Sequence, residues 1–169
     1  MSKAAIDIRT STPTDSEVLS ALILASYSRL YRGWYPDDVL DAALPLMSRA
    51  NPQLLASGWY YVAAVAGEIA GCGGWSTWPP GGGEAAPGIA YIRHFATHPD
   101  HVRKGVARSL IERCLTDGRS NGVRLFKCMA SLPGEDFYAR MGFRRIEATD
   151  FVLRGNIRLA AVNMECDLG

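Results

Sequence analysis

Apolar and polar residues recur along the chain with two different periods, and these periods predict a mixed order of helices and strands. Spacings of three and four predict helices over residues 14–29 and 39–47, and Pro45 should bend or end the second of them. A third helix is predicted from Val106 to Gly118 or Gly122, and a short fourth one over 135–141. Mostly apolar runs bounded by turn residues predict seven strands, at 6–9, 59–66, 69–75, 89–97, 123–130, 143–153 and 157–167.

The predicted succession β α α β β β α β α β β favours an α/β (α+β) fold. Such a chain forms a single mixed central sheet of about seven strands flanked by helices. Gly67-Glu68 is the predicted turn of a hairpin, and residues 78–88, rich in proline and glycine, are a predicted mobile loop. The length of 169 residues and the apolar fraction of 48% suit one core, so we expect a single domain over 1–169.

Charge and cysteine content narrow the classes of function. A net charge of +1 gives no general attraction to polyanions, so neither nucleic acid nor membrane is an expected partner. The four cysteines lie far apart without histidines at ligand spacing, so we expect buried thiols, a reducing cytoplasm and no metal. No apolar run approaches the length of a membrane span, and no secretion signal begins the sequence, which also favours a cytoplasmic location. Monomer and homodimer both remain open.

A basic, glycine-containing loop joins the predicted strand 89–97 to the helix that follows. A helix start offers unpaired backbone N–H groups and a positive dipole end, and Arg103, Lys104 and Arg108 add charge around it. Gly105 lies where a side chain would block an approach to the backbone, and Ala107 keeps the next inward position small. The loop is therefore either a phosphate-binding site or a simple connector that happens to be basic.

The chain resembles the GCN5-related N-acetyltransferase superfamily over nearly its whole length. Residues 89–121 resemble the family's acetyl-CoA pyrophosphate motif, and 136–143 resemble its Phe-Tyr-x-x-x-Gly-Phe signature. Residues 71–75 and 162–165 are similar, more weakly, to the family's third and closing strands. One departure is that Val102 occupies the first loop position and the arginine follows at Arg103, which leaves open whether Arg103 contacts phosphate or points to solvent.

The resemblance implies how acetyl-CoA, the co-substrate, is bound. The fourth and fifth strands of the family's fold are splayed, so pantetheine would pair with backbone groups of Phe95, Ala96 and Thr97 that no strand satisfies. The pyrophosphate would rest on the amides of residues 103–107, including those of Lys104, Gly105, Val106 and Ala107. Ser131, at the end of the fifth strand, would either reach the cofactor or cap a turn.

The resemblance also implies direct attack of an amine on the thioester in a ternary complex. Tyr138 is the candidate that protonates the leaving thiolate, because a phenol pKa of about 10 is close enough to a thiol pKa of about 8.5; otherwise it is a core aromatic. His94 is the tentative base, against the alternative of a packed strand histidine, with Glu84 or a water chain also open. A non-catalytic acyl-CoA-binding sensor or regulatory module remains the second class of function.

The acceptor side is predicted from aromatic residues near two loops. These aromatic residues are Tyr31, Trp34, Tyr35, Trp75 and Trp78. They either line a pocket for an apolar or flat acceptor or only close the core. Arg93 would bind an acceptor carboxylate or carry a solvent-side charge.

Overall fold

A seven-stranded sheet forms the centre of the computed structural model, which describes residues 5–169. Its strands are Ile6–Thr10 (β1), Tyr60–Val65 (β2), Glu68–Ser76 (β3), Ile89–Thr97 (β4), Leu125–Ser131 (β5), Arg144–Leu153 (β6) and Ile157–Asp167 (β7). They lie in the order β1-β2-β3-β4-β5-β7-β6, and only β4 and β5 are parallel neighbours. The predicted mixed sheet is confirmed.

Five helices cover the two faces of this sheet. They are Ser16–Leu30 (α1), Asp37–Met47 (α2), Pro52–Leu55 (α3), Val106–Ser120 (α4) and Glu135–Arg140 (α5). One core joins α1, α2 and α3 to the sheet, and a second core joins α4 and α5 to the opposite face. Adjacent β2 residues enter different cores, with Tyr60 in the first and Tyr61 in the second, which is why this strand is apolar without interruption. Within residues 5–169, no helix combines the length and apolarity that a membrane crossing needs.

Several boundaries differ from the sequence-based expectations for local reasons. The hairpin turns at Ala66 and Gly67 rather than at Gly67 and Glu68, because both have positive φ, 50° and 82°, as a tight two-residue turn requires. Helix α2 continues through Pro45 to Met47. Helix α3 was not predicted; it is only four residues long, and the Asn51 side chain caps it by accepting from the Gln53 amide.

An extra residue in β4 interrupts its pairing with β3. Cys72 pairs with Ala96, but Gly74 pairs with Arg93, so the intervening β4 residues bulge, and His94 there has a φ of 53°. On its other edge β4 pairs with β5 only at Ile89, Ala90 and Tyr91. The two strands then separate, as the resemblance implied, while β5 stays paired with β7 along its whole length.

All four cysteines are buried and free, as the sequence analysis expected of them. Burial raises the pKa of the Cys72 and Cys128 thiols to about 12. Both therefore stay protonated at neutral pH and behave as small apolar groups.

Gly71 permits helix α4 to lie directly on β3, and this contact can be tested. A Cβ at position 71 would meet the Val106 side chain at 2.6 Å and the Ala96 carbonyl oxygen at 3.1 Å. We expect Gly71→Ala to cost about 1–3 kcal/mol of unfolding free energy through overpacking, measured by urea denaturation. Val106→Ala removes the nearest clashing group, so the double variant should be less destabilised than the sum of the single variants by at least about 0.5 kcal/mol. Strict additivity would contradict this packing.

Candidate active site

The separation of β4 and β5 opens a cavity of about 1260 Å³ beside the N-terminus of α4. Helices α1 and α5 and part of β6 complete its wall. The predicted site residues that line it are Tyr31, Trp34, Arg93, His94, Phe95, Ala96, Thr97, Arg103, Gly105, Val106, Ala107, Arg108, Ser131 and Tyr138. Fourteen of the predicted site residues, drawn from several separate segments of the chain, thus line one cavity.

The basic loop presents free backbone donors to this cavity. Gly105, with φ 86° and ψ 12°, turns the chain into α4, and Arg103 also has a positive φ of 62°. The first amide of this region with a partner is that of Ser109, which donates to the Gly105 carbonyl oxygen at 3.0 Å. Within the described chain no hydrogen bond uses the amides of residues 103–108. Because these donors lie at a helix N-terminus, the loop is well suited to an anion.

Two basic side chains around the loop have neighbours of their own, unlike the loop amides. Arg108 donates to Glu112 at 2.9 Å on the helix surface. Lys104 does not line the cavity, and its ammonium lies 3.3 Å from Nδ1 of His101. These two side chains already have neighbours, whereas the main-chain N–H groups of the loop remain available as hydrogen-bond donors within the described chain.

Tyr138 lies on α5 among aromatic rings. The rings of Phe137, Phe143 and Phe95 contact it edge-on, with centroids at 5.1, 5.6 and 6.3 Å. Burial, and then the neighbouring Cys128 thiol, hold the pKa of Tyr138 well above its usual value. The phenol therefore keeps its proton throughout the neutral range.

His94 has a defined tautomer. Its Nε2 lies 3.0 Å from the carbonyl oxygen of Met47, and because a carbonyl only accepts, Nε2 carries the hydrogen and Nδ1 the lone pair. Met47 ends α2, so the ring satisfies one of the carbonyls that a helix end leaves free. Burial lowers the pKa of His94, the Met47 carbonyl opposes this, and the Arg93 charge adds to the lowering. The imidazole is consequently neutral at pH 7.

Two tyrosines that the sequence analysis did not select hold the β4 bulge. The hydroxyl of Tyr27 donates to the Phe95 carbonyl at 2.8 Å, and that of Tyr60 donates to the His94 carbonyl at 2.6 Å. The Phe95 carbonyl group thus has a side-chain partner on α1 rather than a partner on a neighbouring strand. Since these bonds join residues 68 and 34 positions apart, no local sequence pattern marks them.

Tyr35 and Trp75 do not line the cavity and are corrected to structural residues. Trp75 is 2% exposed in the α4-side core and donates from Nε1 to the Tyr61 hydroxyl at 3.2 Å. Tyr35 donates to the Ala160 carbonyl at 2.8 Å and accepts from the Leu132 amide at 2.9 Å. Both aromatics close the core, which was the alternative that the sequence left open.

The remaining candidates take intermediate positions. Ser131 lines the cavity and makes no side-chain cap of the turn that follows it. Burial raises the pKa of Tyr31, and the nearby Ser131 hydroxyl partly offsets this rise. Glu84 lies in the exposed loop and does not line the cavity.

The comparison with known families agrees with this architecture. The sequence profile of the acetyltransferase (GNAT) family matches residues 23–143, which include β4, the basic loop, α4 and Tyr138. The chain belongs to the acetyltransferase (GNAT) family. No curated protein sequence matches it.

Solved structures share the fold at low sequence identity. A GCN5-related N-acetyltransferase from Rhodopseudomonas palustris is 21% identical, with a TM-score of 0.74 over 99% of this chain and 98% of that one. The PaiA N-acetyltransferase of Thermoplasma acidophilum, solved with coenzyme A, is 15% identical, with a TM-score of 0.71 over 96% and 99%. The ribosomal-protein-S18-alanine N-acetyltransferase of Escherichia coli is 13% identical, with a TM-score of 0.64 over 98% and 95%.

The neutral state of His94 predicts a pH dependence of stability. Its pKa is lowered from 6.5 on folding, so the unfolded chain binds more protons between the lowered value and 6.5. Stability should fall as the pH decreases through that window and be fully recovered above it. His94→Gln, which can still donate to Met47, should reduce the slope by no more than about 1.4 kcal/mol per pH unit. Urea unfolding from pH 7.5 to 5 measures this.

A matched variant separates this effect from the general loss of a histidine. His98→Gln removes a histidine that does not line the cavity. The change in slope of stability against pH caused by His98→Gln is subtracted from that caused by His94→Gln. If no difference remains, the lowered pKa of His94 is contradicted.

Proposed function

We propose that residues 1–169 form one N-acetyltransferase domain that transfers the acetyl group of acetyl-CoA to an amine of a small molecule or protein. The observation that carries the proposal is that the amides at 103–108 have no partner within residues 5–169 and belong to a loop that lines the same cavity as the Tyr138 phenol. An anion site alone fits many ligands. An anion site joined to a cleft between strands and to a protonated phenol fits an acyl thioester of a phosphate-bearing carrier.

The cofactor would lie along this cavity with its pyrophosphate on the loop amides. Its extended pantetheine would enter between β4 and β5, beside Phe95, Ala96 and Thr97, where the strands no longer pair. Coenzyme A in the PaiA enzyme, whose fold this chain shares, supports the same class of ligand. Arg103, Arg108 and Ser131 would add side-chain contacts to those of the main chain.

Chemistry would proceed by direct attack of the amine on the thioester carbonyl. The new C–N bond forms, the C–S bond breaks, and the thiolate takes the Tyr138 proton. The amine must lose one proton, and Nδ1 of His94 is the ring atom with a free lone pair to accept it. The proton that His94 takes from the amine then passes through solvent to the Tyr138 phenolate. Both side chains thereby regain their starting charge.

The acceptor would enter past Tyr31 and Trp34 at the end of α1. Trp34 is 54% exposed although it is a large aromatic residue, and it lines the cavity. The stacked rings of Tyr27 and Tyr31, with centroids 4.6 Å apart, also line the cavity and offer a flat surface to an acceptor.

Removal of the Tyr138 hydroxyl tests the catalytic role. Tyr138→Phe should lower kcat by about 100- to 10,000-fold, the usual contribution of a positioned general acid, while coenzyme A still binds by calorimetry. Tyr91→Phe is the matched control, because Tyr91 lies on β4 and does not line the cavity. Thiol release from acetyl-CoA with an amine library is the readout.

Two results would redirect the proposal. Unchanged turnover by Tyr138→Phe would remove the acid role. Tight coenzyme A binding by the wild type without thiol release for any amine would instead favour a non-catalytic acyl-CoA-binding sensor.

Substitution in the loop tests whether the main chain binds the phosphates. Gly105 has a left-handed conformation, and an alanine there costs about 1–2 kcal/mol. The loop can escape this cost by turning its amides apart, so Gly105→Ala should weaken coenzyme A binding by roughly tenfold. Arg103→Gly permits the left-handed conformation and removes the side chain with its guanidinium, so its loss of affinity should be smaller. A larger loss for Arg103→Gly by calorimetry would assign the affinity to the side chain.

A further inference from the structure

The wall of the cavity carries positive charge. Among the described residues its charged members are all arginines, and neither aspartate nor glutamate lines it. Arg103 and Arg108 lie at the loop and α4, and Arg140 lies at the end of α5. Arg93 lies on β4, next to His94, whose ring centroid is 6.1 Å from that of Tyr27 on α1.

Arg93 is a partly buried cation without an acidic partner in the part of the chain that the structure describes. One terminal nitrogen donates to the Ser76 hydroxyl at 2.8 Å, and the guanidinium carbon lies 5.7 Å from the centre of the Trp78 ring. No ion pair within residues 5–169 includes it. A guanidinium has five N–H donors in a planar fork, so one bond leaves most of them for a ligand. The Ser76 bond and the Trp78 ring also restrict its orientation.

Much of the remaining cavity wall is apolar. Aliphatic and aromatic side chains of the wall include Leu30, Tyr31, Trp34, Met47, Phe151 and Leu153. An ammonium group brought here finds no carboxylate to replace its water, so the site disfavours acceptors with a second ammonium. A carboxylate finds the fork of Arg93, whose geometry suits bidentate binding.

Building on the proposed function, we infer that the acceptor is a small amine that carries a carboxylate on an apolar carbon frame, with Arg93 binding the carboxylate. The amine is then bound in its uncharged form, because no acidic side chain among the described residues of the cavity stabilises the ammonium. This arrangement explains how a cavity without a carboxylate base accepts an amine nucleophile. The same lining disfavours diamines and polyamines as acceptors.

Matched acceptors test the inference. Phenylalanine, leucine and 4-aminobenzoate are each compared with the corresponding amide, and putrescine represents diamines. Thiol release from acetyl-CoA gives kcat/KM, and calorimetry on protein saturated with coenzyme A gives acceptor affinity without turnover. For at least one pair, the acid should have a kcat/KM and an affinity about 10- to 100-fold higher than its amide. This is the range expected from a charge-assisted hydrogen-bonded pair.

Variants at position 93 connect the preference to the side chain. Arg93→Gln should bring the ratio of acid to amide towards one, and Arg93→Lys should retain part of it because the charge remains without the fork. Arg119→Gln is the matched control, since Arg119 does not line the cavity. An unchanged affinity for coenzyme A verifies that Arg93→Gln is folded.

The outcomes separate this inference from the proposed function. Turnover of amides or putrescine in preference to acids, or a preference that survives Arg93→Gln, overturns the inference and leaves an acetyltransferase. Selective binding of an acid without thiol release supports the inference and removes the catalytic proposal. Failure of every acid to bind the coenzyme A complex overturns the inference.

Discussion

The separation of β4 from β5 is the constraint on which the rest of the site depends. The strands pair at three positions and then part, while β7 stays paired with β5 along its whole length and β3 stays paired with β4 except at the bulge. Backbone groups freed in this way need partners, since a buried polar group without one is costly. Hydroxyls of Tyr27 and Tyr60 serve two carbonyls of the bulge, but the amides at the start of α4 have no partner in the described chain. The fold is therefore fully formed, but within the described chain the N–H groups at the start of α4 still lack hydrogen-bond acceptors.

Burial acts in opposite directions on the two groups proposed to move protons. It raises the pKa of Tyr138 and lowers that of His94, because the charged form is penalised in each case. The phenol is thereby kept protonated and the imidazole unprotonated, which are the states that an acid and a base need before reaction. The bond to Met47 then fixes which nitrogen of His94 is free. A single physical cause supplies both states.

Sequence patterns predicted the helices and strands of this fold better than they predicted which face of the sheet each side chain occupies. Strands β4 and β7 have the predicted bounds because long apolar runs end there at turn residues. Nothing in Arg93-His94-Phe95 marks the bulge, since it arises from register with β3. Trp75 was misplaced for the same reason: its register partner is Ile92, and both belong to the α4-side core. A loop-side aromatic carries no sign of the face it will take.

The electrostatics of the cavity depend on where charges lie rather than on their sum. The chain carries 18 basic and 17 acidic residues, yet the cavity wall has arginines and, within residues 5–169, no acid. Under the proposed function, phosphates occupy the α4 end and an acceptor carboxylate occupies the Arg93 side. Each anion then neutralises the arginines nearest to it, and the thioester and amine meet between them in a region of uncharged groups, Tyr138, His94 and Phe95. Coulomb interactions are strong in such a partly dry space, so two anchored anions fix the reactants more firmly than apolar contact alone.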